Sequence, residues 1–139
     1  MEATVKSLPE AVYKAEAESL DRVARKFPTF SEVEGFVEEV LESEWWQNTF
    51  PTAPIRVIVE KRSSSARFAL ATSGGVIAIP NSPSGRTTST VLHELAHTAT
   101  DRVDGHGPIY RSAMLKLVRH YMGFYAYVNL EHSYSNWIK

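Results

Sequence analysis

The chain has no cysteine among its 139 residues, which removes disulfides, thiolate metal sites and a cysteine nucleophile together. Any metal must then be held by histidine and carboxylate. An excess of charge of one sign is also missing. Lys and Arg number 15 against 16 Asp and Glu, for a formal net charge of −1, so no bulk electrostatic pull towards nucleic acid or an anionic membrane is indicated. No apolar run approaches the roughly 20 residues that a membrane span needs. Residues 1–6 show no basic segment leading into an apolar one, the mark of a secretory leader. These absences set the expectation of a soluble, cytoplasmic protein. No internal repeat or low-complexity stretch interrupts the chain. With 43% apolar and 22% charged residues, the composition is that of one globular domain able to bury a core.

What is present reads as α+β. Residues 9–27 carry Val12, Leu20, Val23, Ala24 and Phe27 at helical spacing, with Glu16, Glu18, Asp21, Arg22 and Arg25 assigned to water. Ser7 with Glu10 resembles a capping box, and Phe27-Pro28 is the expected stop. A second helix is predicted over 32–46, with Ser31 and Glu34 as its capping box and Val33, Phe36, Val37, Val40 and Leu41 as one apolar stripe. Trp45 and Trp46 extend that stripe or line a cleft, packing being the commoner role. Three β-like runs follow at 55–60, 67–71 and 76–79, the last two joined by a Thr72-Ser73-Gly74-Gly75 turn. A third helix is expected over 86–101 and a fourth from Pro108, a good first-turn residue, to Gly123. Residues 124–130 suit either a last strand or a short packed helix, so the sheet has three strands and possibly four. Residues 131–139 read as a surface tail.

Chemistry concentrates in His93-Glu94-Leu95-Ala96-His97 and in His106 of Gly105-His106-Gly107-Pro108. Histidines four apart on a helix project from one face, one turn above the other, and together can bind one metal ion. Glu94 lies beside them, placed to act on water at that ion. A third ligand must come from elsewhere. The spacing that would supply it in metzincins needs glycine and histidine where this chain has Thr100 and Val103. A glutamate ligand from the next helix finds no candidate between His97 and Glu131. His106 is left, at the entry to the fourth helix. Three imidazoles with an open fourth position are the arrangement of catalytic rather than structural zinc, although imidazole also suits iron, nickel and copper.

His-Glu-x-x-His followed after eight residues by His-Gly-Pro-x-Tyr resembles the small zinc metallohydrolase family of actinobacteria and their phages. More broadly it is similar to SprT-like zinc proteases, whose third histidine also lies in a His-Gly segment opening the next helix. The likeness is sharp over residues 92–117. It implies a minimal zincin-like domain spanning 1–139, Zn(2+) on His93, His97 and His106, and Glu94 as catalytic acid/base. It also implies a peptide or protein substrate added as a strand to an exposed sheet edge before the metal helix, for which 76–79 is the best match. The alternative there is a fully paired core strand. The cysteine-rich ribbon that follows many SprT-like domains is not in this sequence, so their DNA-linked role is not part of the expectation here.

Several residues keep two readings. Tyr110 and Arg111 are candidates to stabilise an oxyanion, with core packing the commoner role for Tyr110. Asp101 or Asp104 could fix the tautomer of a ligand histidine or simply cap a helix. His120 and His132 read as structural. The function expected is hydrolysis of amide bonds by a Glu-activated water at zinc. The alternative is a metal-stabilised module that binds a peptide or nucleic acid without turnover.

Overall fold

The computed structural model, which describes residues 7–72 and 75–138, has six helices and a three-stranded mixed sheet among those residues, the expected α+β class. Three helices come first: α1 (Leu8–Leu20), α2 (Phe30–Glu42) and the short α3 (Glu44–Thr49). Then come β1 (Ile58–Arg62), β2 (Leu70–Ala71) and β3 (Val76–Pro80), followed by α4 (Thr88–Ala99), α5 (Pro108–Met122) and α6 (Phe124–Trp137). Among the described residues no helix is long and apolar enough to cross a membrane.

Tertiary contacts shorten the first helix. Its stop lies at Leu20, not Phe27, because Lys26 forms a bridge with Thr87 and the Phe27 N–H donates to the Arg86 carbonyl at 2.8 Å. An extended 25–27 segment clamped to the entry of α4 cannot also be helical. The second helix is capped two residues earlier than predicted. Thr29 accepts from the Glu32 N–H and the Glu32 carboxylate accepts from the Thr29 N–H, so Thr29 and Glu32, not Ser31 and Glu34, make the box. That helix breaks at Ser43, whose ψ of 144° is extended and whose Oγ accepts from the Trp46 N–H to start α3. Trp46 is fully buried and donates to the Pro54 carbonyl, while Trp45 packs on Phe50, Tyr121 and His120. Both tryptophans are core, as the commoner reading had it.

The strand order is β1-β3-β2, with β1 parallel and β2 antiparallel to β3. The 76–79 run is therefore the central strand, and the expectation of a free edge there is corrected. The fourth strand is absent from the described residues. Ser73 and Gly74, the tip of the predicted turn, lie outside the described residues; beside them Gly75 takes φ +79°, a conformation that glycine adopts without steric cost. Register alternation turns Ile77, Ile79 and Ala71 inward, where α4 covers them, and leaves Ile58 and Leu70 on the open face.

Residues 91–98 of α4 are buried on every side, which suits a helix wrapped by neighbours rather than one lying on a surface. The chain after Gly123 (φ +99°) enters α6, so the tail predicted for 131–139 is an error as far as Trp137. Leu130 and Tyr134 are buried and Trp137 is half-buried, at i, i+4 and i+7 of one face that packs along α1. The polar and aromatic wording Glu-His-Ser-Tyr-Ser-Asn-Trp hides that periodicity.

The shifted cap is testable. Thr29→Ala should cost about 1 kcal/mol in urea unfolding, whereas Ser31→Ala should stay within about 0.5 kcal/mol of the parent. Equal effects would place the helix start elsewhere.

Candidate metal centre

Two of the candidate ligands come from a helix whose N-terminal end is tied down. The side chain of Thr87 caps α4 by accepting from the Thr90 N–H, and Thr88 exchanges hydrogen bonds with Arg25. His93 and His97 then point the same way, both buried. The third histidine arrives by a strained turn in which Asp101 and Arg102 take φ of 49° and 55° and Gly105 takes 62°. Asp104 closes that turn, accepting from the Ile109 and Tyr110 N–H groups at 2.7 and 3.1 Å. A β-carbon on Gly107 would stand 2.5 Å from the Asp104 carboxylate oxygen, so this glycine lets the cap form. Arg111 donates to the His106 carbonyl at 2.7 Å, holding the ligand-bearing segment in place.

His93, His97 and His106 form a cluster that could hold a metal ion. The Nε2 of His106 lies 3.2 Å from that of His97 and 3.2 Å from that of His93. Nitrogens bound tetrahedrally to one zinc stand about 3.3–3.4 Å apart, given bond lengths of roughly 2.0–2.1 Å. Neutral imidazoles cannot turn both contacts into full hydrogen bonds, because the His106 Nε2 carries at most one proton. The donor set fits a small divalent ion.

Electrostatics agree with that fit. Burial, then the neighbouring His93 and His106 charges, push the pKa of His97 down to about 3. Burial and His93 push His106 down to about 4. Both therefore keep neutral rings, as ligands must. At His93 burial also acts downward, but the charge and hydrogen bond of the Glu16 carboxylate outweigh it and the net shift is upward.

Glu16 is the residue that reading the sequence missed. Assigned to the solvent face, it is buried, and its Oε1 accepts from His93 Nδ1–H at 2.6 Å. Its Oε2 accepts from the hydroxyls of Tyr110 at 2.8 Å and Tyr134 at 2.7 Å. His93–Glu16 is the only ion pair among the described residues. A proton held on Nδ1 leaves the His93 Nε2 lone pair free for a metal. The signal was available: Val12, Glu16 and Leu20 repeat at i, i+4 and i+8, so the carboxylate sits in the apolar stripe. The tautomer-fixing task proposed for Asp101 or Asp104 thus belongs to Glu16, and Asp104 is a helix cap. His97 has no comparable partner, its buried Nδ1 making no hydrogen bond, and the Tyr110 ring stacked 4.5 Å away keeps it in place.

Tyr110 is wholly buried beneath His93, and Arg111 is spent on the His106 carbonyl. Neither lines the cleft that Glu94 and His93 share. His120 stacks on Trp45 and His132 is exposed, both outside the cluster. Glu94 is buried beside the cluster, makes no side-chain hydrogen bond among the described residues, and has its pKa raised by burial. It lines a cleft of about 260 Å³ together with His93, Tyr13, Phe68 and Ser89. A larger depression of about 1140 Å³ opens between α5, the end of α4 and the 49–56 linker, and contains neither Glu94 nor any of the three histidines. Size does not mark the site; the histidines do.

No family model, curated protein or solved structure matches the chain. Its chemistry has to be read from its own residues.

Two outcomes follow for the centre. Glu16→Gln should weaken binding of one equivalent of zinc by about 10–100-fold in competition with a chromophoric chelator, and His106→Ala should abolish stoichiometric binding; full retention in either would remove that residue from the centre. In the metal-free protein, acid should destabilise the fold. Unfolded histidines take protons near the ordinary 6.5, while His97 and His106 resist to about 3 and about 4. Below pH 6.5 the unfolded chain therefore binds more protons at these two sites, and stability falls with pH. Glu94, raised by burial, offsets at most one of those protons. The urea midpoint should drop between pH 6.5 and 5; an unchanged or rising midpoint would contradict neutral histidines in the cluster.

Proposed function

We propose that the chain is a zinc-dependent hydrolase of amide bonds, a peptidase of the zincin kind acting on a peptide or protein substrate. One observation carries the reading: a carboxylate with no hydrogen-bond partner among the described residues, Glu94, is buried at the wall of a cleft beside a three-imidazole cluster. A structural metal site has no use for such a group, which argues against a binding module without turnover. The likeness of residues 92–117 to the actinobacterial and phage zinc hydrolases supports the same choice.

His93, His97 and His106 would hold the ion, with Glu16 fixing the first of them. A bound divalent ion supplies Lewis acidity, polarising the substrate carbonyl and acidifying water. Glu94, its pKa raised by burial, takes the proton from the attacking water and passes it to the departing amine. The cleft wall at Arg67, Phe68 and Ala69 runs directly into the edge strand β2. An extended substrate would lie along this segment, with main-chain hydrogen bonds supplying affinity. Phe68 and Ala71 already have their carbonyls taken by Arg62 and Arg102, so the backbone of Ala69 is the place for that pairing.

Glu94→Gln keeps shape and removes the base. It should retain zinc while losing hydrolysis of β-casein, an unstructured protein, by about 10²–10⁴-fold. Undiminished turnover in the zinc-loaded variant would take Glu94 out of the mechanism.

A further inference from the structure

Water addition to an amide drives an electron pair from the carbonyl π bond onto oxygen, and a preorganised donor at that oxygen lowers the barrier. The residues that follow His106 in sequence do not supply it. Tyr110 has its hydroxyl committed to Glu16, and Arg111 donates to a backbone carbonyl. Tyr13 of α1 stands differently. Its ring stacks on His93, with centroids 5.0 Å apart and planes 16° from parallel, and lies 5.5 Å from the His106 ring. Phe68 flanks it at 5.7 Å. It is 39% exposed, lines the same cleft as Glu94, and its hydroxyl makes no hydrogen bond to a described residue. A phenol clamped between a ligand histidine and the cleft wall, with an unused donor, is preorganised for one more partner.

We propose that Tyr13 is the catalytic hydrogen-bond donor to the substrate carbonyl oxygen as negative charge builds there. This rests on the hydrolase reading above. The step balances within the chain's own groups. Water oxygen bonds to the carbonyl carbon, its proton goes to Glu94, and the π pair moves to the oxygen that Tyr13 holds. That pair then re-forms the carbonyl, the C–N bond breaks, and the amine takes the proton from Glu94. The competing donor is Arg102. Its guanidinium is tied to the Ala71 carbonyl at 2.9 Å and does not line the cleft.

The test compares zinc-loaded wild type with Tyr13→Phe, which keeps the stacked ring, and with Arg102→Gln. A phosphinic pseudo-tripeptide serves as the tetrahedral probe and β-casein as the substrate. Tyr13→Phe should bind zinc as the parent does, within about threefold. It should bind the phosphinate about 10–100-fold more weakly and lose on the order of 10²-fold in kcat, with KM little changed. Arg102→Gln should leave phosphinate binding intact. Equal phosphinate binding by wild type and Tyr13→Phe overturns the assignment, as does no binding by wild type or a loss confined to Arg102→Gln. Should wild type fail to cut casein while Tyr13→Phe still loses the phosphinate, the peptidase reading falls and the donor stands.

Discussion

A carboxylate buried where four helices meet is tolerable only if its charge is met by donors, because an unpaired ion in a protein interior costs several kcal/mol. Glu16 of α1 meets that condition with one partner from each of the other three helices: His93 of α4, Tyr110 of α5 and Tyr134 of α6. The arrangement of these helices is thereby fixed to within hydrogen-bond tolerance. Shifting any one of them by an ångström or two would strand either the carboxylate or a buried hydroxyl, each a costly loss. Desolvation alone would raise the Glu16 pKa, and the His93 charge with three hydrogen bonds overcomes it and lowers the value.

The same carboxylate makes the histidine cluster asymmetric. Three imidazoles, with the His106 nitrogen 3.2 Å from those of His93 and His97, cannot share more than one positive charge without repulsion, and Glu16 favours His93 as the one to carry it. Burial is the main cause of the downward shifts at His97 and His106, and the charge at His93 adds to it. A divalent ion among the three nitrogens would displace one proton and satisfy all three lone pairs. Fold and metal affinity would therefore be linked: helices that assemble around Glu16 assemble the three histidines, and an ion held by them would stabilise that assembly.

Legibility in the sequence followed the range of the forces involved. His93, Glu94 and His97 were plain because their relation is one helical turn, and His106 because the spacing excluded other ligands and the glycines around it mark a return of the chain. The apolar stripes of α2 and α5 were equally local. What escaped depended on contacts distant along the chain. Lys26 leaves the helix because Thr87 pairs with it; Glu16 turns inward because His93, Tyr110 and Tyr134 await it; the 131–137 stretch is helical because α1 offers it an apolar groove. The free edge expected at 76–79 failed for the same reason. Hydrophobic runs reveal strands but not which is central, and β3 is last in sequence yet lies between the other two. Only Glu16 left a local trace, a charge in the stripe of Val12 and Leu20.

That trace assigns α1 a second task. Tyr13 and Glu16 are three residues apart, and residues at that spacing share a helix face. One stacks on the His93 ring from the side of the cleft, and the other holds its Nδ1 from within the core. His93 is thus gripped on its ring face and its edge by a single rigid element, while His97 and His106 are positioned by α4 and by the turn into α5. The helix farthest in sequence from the His-Glu-x-x-His stretch controls the orientation of that stretch's first ligand. Because α1 is itself braced by α6 through Tyr134, and by Trp137 on Glu18 at 2.9 Å, the C-terminal helix belongs to the support of the site. Loosening α6 would reach the histidine cluster through Glu16 without touching any of the three histidines.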